Sequence, residues 1–445
     1  MTRQPVPGLD PADARHRAAL AALAEHRRRL ARGSAADWLA PDAAGAASPV
    51  APPSGDHRGL RSVRLPELLL GVALCLEVYP VDLPGVGHVP TNELAVLVLV
   101  ALAVLRRPLR DTSRLQVTGL LAGLVLLYLA GLSLALGLPD EQWIRRIVRM
   151  LALTFLVGAF AGRRLDLRST LLGLLAAMAV NVPLFYAGLV PAPYQGFLTG
   201  FLGDKNVAGM YYAVIPVLAM SLTRRPGVRL ALLVGAAGAV FLTGSRTALA
   251  GLLCAAVWML LTPRMGPVLR LLLAVGLAGL VRFASENLAR VGIYADREGT
   301  DWFRALIRSA AEAKTAATPW TGRGLGEAFV ELDTGRWLYH DSYLALYTEG
   351  GVILTAGLLL AYAVYGLRLA SGRRRTPARV AVEAAALVML VVASQLGEVF
   401  ITTPSMLVIA AGAGLALGEA ETPLDENEQE RLRTRVVGAA QSRWG

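Results

Sequence analysis

The chain has 445 residues, is 55% hydrophobic and has a mean hydropathy of +0.50, which excludes an ordinary soluble enzyme. Many Leu/Ala/Val/Gly runs reach the roughly 17–25 residues that cross a bilayer, and none alternates as a barrel strand does, so no sheet is expected. The net charge of +11 comes almost wholly from Arg, and the Arg clusters fall in short links between apolar runs, a positive-inside pattern that argues against nucleic acid as partner.

Residues 1–61 carry no apolar core and read as a largely flexible cytoplasmic arm, not a signal peptide. Asp10-Pro11 opens a predicted helix to about Arg32, and 35–55 is an Ala/Pro/Ser-rich linker. The arm reads as solvated, with Arg27-Arg28-Arg29 as its one lipid-seeking feature. Residues 62–418 form the transmembrane domain. By the length rule it holds about twelve spans, near 65–83, 91–105, 115–137, 147–161, 169–190, 207–222, 229–243, 247–262, 267–284, 343–368, 379–397 and 404–418. With alternating spans, Arg106-Arg107, Arg163-Arg164, Arg224-Arg225, Arg264 with Arg270 and Arg373-Arg374-Arg375 share one side with both termini. That side is cytoplasmic. The tail, 419–445, is acidic, then basic, and reads as cytoplasmic and solvated.

The opposite side receives 85–92, 139–146, 191–206, 244–246, 399–404 and one large polar loop, 285–342. The candidates for chemistry collect there. Arg145, Arg146 and Arg149 crowd the outer end of a span against the charge rule, which makes them candidate ligands for an anionic head group. Asn206 either caps the following helix or binds a sugar. Arg246 sits in a tight link between two spans, where its planar fork suits phosphate oxygens; a snorkelling interfacial Arg is the plainer reading. In the large loop, Arg304 and Arg308 share a face of an expected helix over 301–315, with Trp302, Leu306 and Ala310 as its apolar side against the membrane surface. Arg297 and Arg323 flank it, and together these arginines can hold a diphosphate. Gly322-Arg323-Gly324-Leu325-Gly326 is either a phosphate nest or a set of tight turns. His340, where the loop meets a span, is either a general base for a sugar hydroxyl or an interfacial hydrogen-bonding residue. Glu349 and Glu398 are carboxylates at the outer half of spans. Cys75 and Cys254 both fall in apolar runs; no metal-binding spacing, P-loop or Gly-x-Ser-x-Gly is visible.

Three of these stretches together resemble the O-antigen ligase and Wzy-type polymerase family of bacterial membrane proteins. They are Gly203-Asp204-Lys205-Asn206-Val207-Ala208, then Ser245-Arg246-Thr247-Ala248, then Gly322-x-Gly324-Leu325-Gly326 followed by His340-x-Ser342-Tyr343-Leu344 and Glu349-Gly350-Gly351. The resemblance covers roughly 65–417. Asp341 departs from it, standing where the family has Asn; its charge either raises the basicity of His340 or repels a diphosphate. The resemblance implies an all-α, GT-C-like, inverting glycosyltransferase of the bacterial cytoplasmic (inner) membrane, active on its extracytoplasmic face without metal or cofactor. The donor is a glycan on undecaprenyl pyrophosphate and the acceptor a glycan or glycolipid. In that scheme His340 and Arg246 are catalytic, and Arg304, Arg308, Arg323, Arg297, Asn206, Arg146 and Glu349 bind substrate. A Wzy-type polymerase differs only in its acceptor. A solute transporter, the competing class, predicts interrupted spans and polar residues at mid-membrane, whereas the polar residues here are expected at the outer face.

Overall fold

The computed structural model describes residues 63–83, 87–194, 196–287, 298–369 and 375–421. The chain divides into Met1–Arg61 and Ser62–Gly445, and only the second unit contains described residues. The predicted arm, the tail beyond residue 421 and Arg297 lie outside them.

The described chain is mostly helical. In order it holds α1 (Leu65–Ala73), a hairpin of β1 (Pro80–Leu83) and β2 (Gly87–Pro90), α2 (Thr91–Leu105), α3 (Gln116–Ala135), α4 (Asp140–Ala161) and α5 (Leu167–Tyr186). Then come α6 (Lys205–Ala219), α7 (Pro226–Thr243), α8 (Arg246–Leu261), α9 (Pro267–Asn287) and α10 (Glu298–Ala316). A second hairpin, β3 (Phe329–Leu332) and β4 (Gly335–Leu338), precedes α11 (Ser342–Ala361), α12 (Pro377–Val392) and α13 (Thr403–Glu421). Five helical stretches are long and apolar enough to cross a membrane: Ser113–Ala135, Leu167–Tyr186, Pro226–Thr243, Arg246–Arg264 and Ser342–Gly366. Leu120, Leu127, Val234 and Leu260 on these helices are exposed, as side chains facing lipid are. These are the features of a helical membrane protein.

Two expectations need correction. The stretch 65–83 is not one continuous helix: α1 has nine residues, about 14 Å at 1.5 Å per residue. After it the chain is drawn out of the helix, because the backbone N–H groups of Glu77 and Val78 donate to Phe201 O (2.9 and 3.2 Å) and Pro80 starts a strand. The two hairpins are antiparallel ladders that no alternating run announced.

The centre of the bundle is α6 with α12. Every residue from Ala208 to Ala219 is buried, and α12 buries Arg379–Met389 almost without a gap. Small residues permit this close packing; Ala384, Ala385 and Ala386 are fully buried. Helix α12 packs on α8, α6 and α13, and α1 packs on α5. Charges also lie inside the bundle away from the expected outer face. Trp258 Nε1 donates to Glu383 (3.1 Å), which also pairs with Arg375, and Arg379 donates to Glu419 (3.4 Å).

Helix α11, within the predicted span 343–368, is interrupted. Gly351 has φ 59° and ψ −152°. The segment that fills the break is the glycine loop: Arg323 N–H donates to Thr348 O (2.7 Å), Gly324 N–H to Glu349 O (2.9 Å), and Val352 N–H to Trp320 O (2.9 Å). Gly322 and Gly324 both have φ 92°, a left-handed backbone that side-chain-bearing residues rarely adopt.

Candidate functional site

The site is built from four pieces of chain. The first is the link between α7 and α8. Gly244, with φ 66°, ends α7 in the left-handed conformation typical of helix C-termini. Ser245 is extended, and Arg246 is already the first residue of α8. The second piece, loop 190–204, is strapped across this link. Leu198 N–H donates to Leu242 O (2.9 Å), and the Phe197 ring lies where a Cβ on Gly244 would be.

That loop delivers Asp204 to the start of α6. One carboxylate oxygen accepts from the N–H groups of Asn206 (2.7 Å) and Val207 (3.0 Å); the other accepts from the Tyr194 hydroxyl (2.9 Å). Asp204 is therefore the helix cap, not Asn206, because a cap must precede the first turn whose N–H groups are open. The hydrogen bond to Asp204, and then burial, push the Tyr194 phenol up. Lys205 follows, with Nζ 4.8 Å from the centre of the Phe197 ring and 5.5 Å from that of Tyr194.

The third piece is α10. It packs through Phe303, Ile307 and Ala311 into a small core with Ala328, Val330, Tyr339 and Ala345. The apolar side proposed from the sequence is thus corrected: Trp302 is 67% exposed, while Phe303 stacks edge-to-face on Trp337 with ring centres 4.8 Å apart. Packing selects the Phe303–Ile307–Ala311 stripe because the hairpin and α11 both lie on that side.

The fourth piece is Tyr339-His340-Asp341. Tyr339 is buried and its N–H donates to Ala328 O (3.1 Å). Asp341 caps α11, accepting from the N–H groups of Tyr343 (2.8 Å) and Leu344 (3.2 Å). His340 is thus pinned on both sides along the backbone and presents an exposed imidazole. Protein packed around the ring, and then the Arg304 guanidinium, hold its pKa below the ordinary 6.5, against the opposite pull of Asp204. That direction favours the neutral ring near pH 7. Asp341 has a different task from either one expected of it. Its carboxylate serves the helix terminus, burial pushes its own pKa up, and Arg308 pulls the other way. The charge of Arg304 thus acts on His340 and that of Arg308 on Asp341, and Arg308 also pairs with Glu312 (3.0 Å).

The charges of Arg304 and Asp204 thus act on His340, and Asp204 and Arg304 act on Tyr194, while Lys205 and Arg246 open α6 and α8. No protein-family model and no curated protein matches this chain.

The remaining sequence-predicted residues lie beside this group in a different setting. Arg146 pairs with Glu349 (2.9 Å) and with Glu398. Glu349 is 1% exposed and also accepts from Gly326 N–H (3.0 Å). Arg323 is turned toward the end of α10, donating to Thr318 Oγ1 (3.0 Å) and Ala317 O (2.8 Å). The phosphate-nest reading of the glycine loop is corrected by the same geometry. Its amides are all engaged inside the protein: Gly322 to Pro319 O (2.8 Å), Arg323 and Gly324 to α11, Leu325 to Ser133 Oγ (3.0 Å) and Gly326 to Glu349.

Sequence reasoning missed Tyr194, and it passed over Glu77. Glu77 accepts from the buried Tyr211 hydroxyl (2.8 Å). An acidic residue ending an apolar run was the available signal for it. Tyr194 gave none, since a loop Tyr after Pro191-Ala192-Pro193 has no spacing to read.

Proposed function

We propose that this protein is an inverting membrane glycosyltransferase. It moves a glycan from a polyprenyl-pyrophosphate carrier of the undecaprenyl type to a glycan or glycolipid acceptor, in the manner of an O-antigen ligase. The observation that carries this reading is the exposed, neutral His340 held beside Arg304 at the head of α11. A neutral imidazole takes the proton of an acceptor hydroxyl as that oxygen bonds to the anomeric carbon. The bond from that carbon to the pyrophosphate oxygen breaks on the opposite face, and the pyrophosphate leaves with the electron pair. Arg246 and Arg304, and Arg308 where its pairing with Glu312 yields, neutralise the charge that develops. Tyr194, Lys205 and Asn206 line the acceptor side. In this reading the helices form about twelve spans of a GT-C-like fold. The chain lies in the bacterial inner membrane with its termini in the cytoplasm, and α10 covers the lipid-linked donor on the outer face.

A polymerase differs only in its acceptor. The break in α11 with the Arg146–Glu349 pair favours a second reading, a solute transporter, because interrupted spans with ionisable groups mark transport sites. Against it stands the engagement of every loop amide that fills the break.

The deciding experiment is transfer in proteoliposomes from a polyprenyl-pyrophosphate-linked glycan, with EDTA present. Release of the polyprenyl pyrophosphate by the wild type, lost in folded His340→Ala and Arg246→Ala, is the expected result. Full activity in both variants, or solute uptake without glycan transfer, overturns the reading.

A further inference from the structure

At the other end of α4 from Arg146, three separate segments bring five arginines to one open pocket of about 430 Å³, lined by Arg64, Arg106, Arg107, Leu109, Arg163 and Arg164. Arg163 follows Arg146 by 17 residues along and just past α4, so this pocket lies about 26 Å from Arg146. Its volume falls in the roughly 300–1,000 Å³ range of ligand sites.

The pocket is held in shape from within. Arg106 and Arg64 (3.5 Å) both pair with the fully buried Glu67. Arg164 Nη1 donates to Ala103 O (3.3 Å), and its own carbonyl accepts from Arg64 and Arg106, each at 3.5 Å. The neighbouring Asp166 is used in capping α5, accepting from Ser169 N–H (3.0 Å). Two carboxylates, both engaged, face five guanidinium groups. Like charges gathered this way repel unless an anion joins them.

Arg107 and Arg163 have no protein partner among the described residues. Arg163 also occupies the left-handed position that ends α4, with φ 59°. Glycine is the usual occupant there, because a side-chain-bearing residue is strained in that conformation. The left-handed turn closes the helix, with Arg163 N–H donating to Phe160 O (3.0 Å) and Arg164 N–H to Ala159 O (2.9 Å), and a cation at this end gains from the helix dipole. Beside the arginines, Leu105 is 83% exposed and Leu109 68% exposed, giving the pocket an apolar flank continuous with the surface of α2.

We propose that this pocket binds the phosphate of an anionic membrane phospholipid, with the acyl chains running along the exposed leucines of α2. A fork of guanidinium groups matches phosphate oxygens, and the apolar flank favours a lipid over a free ion. The site is independent of the glycosyltransferase reading and stands or falls separately.

The test is native mass spectrometry of the full chain in detergent, titrated with phosphatidylglycerol or with phosphatidylcholine. The variant is Arg163→Gly with Arg107→Ala. It removes two unpartnered side chains and suits the backbone at residue 163. The control is Arg224→Ala with Arg225→Ala, an equal loss of charge at another exposed link. Preferential retention of phosphatidylglycerol, weakened about tenfold in the first variant and unchanged in the second, is the expected result. Equal retention of the two lipids, or equal loss in both variants, overturns the proposal. Complete displacement by excess inorganic phosphate also overturns it, by identifying a free-anion site. A thermal melt of each variant confirms that the comparison is between folded proteins.

Discussion

Two neighbouring regions of this molecule use the same residue types to opposite ends. Around Glu349, an arginine, two carboxylates and a run of glycines are closed on one another. Arg146 holds two acids, every loop amide has a carbonyl, hydroxyl or carboxylate partner, and Glu349 is sealed from solvent. Around His340, Arg304 and Tyr194 are exposed beside a half-buried Asp204, and the charges of Arg304 and Asp204 act on the imidazole. The difference lies in whether the hydrogen-bonding capacity is already spent. A cluster closed by ion pairs and backbone bonds fixes a shape, although Arg146 Nε is left without a partner, whereas an exposed one can meet a substrate.

The sharpest way to break this contrast is to remove one group from each region. His340→Ala is expected to lower transfer by about 10²–10⁴ in rate while leaving the unfolding midpoint unchanged, as measured by turnover and a thermal melt together. A variant that keeps its activity moves His340 to the structural side of the contrast. Arg146→Ala is expected to act the other way. It strands Glu349 in the interior and costs about 3–5 kcal/mol of stability, read from chemical denaturation in detergent. An unchanged midpoint there shows that the ion-pair cluster does not hold the fold.

A pH profile sharpens the exposed half. The pKa of His340 lies below its ordinary value, so the ring is neutral and competent at pH 7 and gains its proton only as the pH falls below that range. Transfer is expected to be flat near neutrality and to drop on an acid limb below pH 6.5. Arg304→Ala removes a positive neighbour and shifts that limb to higher pH; Asp204→Asn removes a negative one and shifts it lower. A limb that moves with neither variant separates His340 from these two residues. The smallest effect belongs to Asp341→Asn. Asn caps helices about as well as Asp, so stability is expected to change by less than about 0.5 kcal/mol, with the acid limb nearly unmoved. A large loss of activity there assigns the carboxylate a part in chemistry.

The helical, membrane-embedded character was legible because apolar length is a one-dimensional property: Ser113–Ala135 and Leu167–Tyr186 announce themselves residue by residue. The 65–83 stretch misleads because Leu74 and Cys75 are as apolar as any span, while the bonds that turn the chain come from Phe201, far along the sequence. His340, Arg304 and the 203–206 segment were readable as polar residues at one end of the helices. Their grouping, and the separation of Arg146, Glu349 and Arg323 from them, depended on partners distant in the chain. Gly322-Arg323-Gly324 reads the same whether its amides face a phosphate or the gap in α11, and only the carbonyls of Thr348 and Glu349 distinguish the two.

The repaired gap in α11 also bears on biosynthesis. In a lipid environment the open amide and carbonyl groups at Glu349–Gly351 are costly until something answers them. The segment that answers them, 320–326, precedes α11 in the chain and so leaves the ribosome first. The first half of α11 therefore has its partner waiting as it enters the membrane. Loop, hairpin and helix are expected to mature as one cotranslational unit, and lengthening the loop between Trp320 and Gly326 should damage insertion more than an equal insertion at the exposed tip of the β3–β4 hairpin.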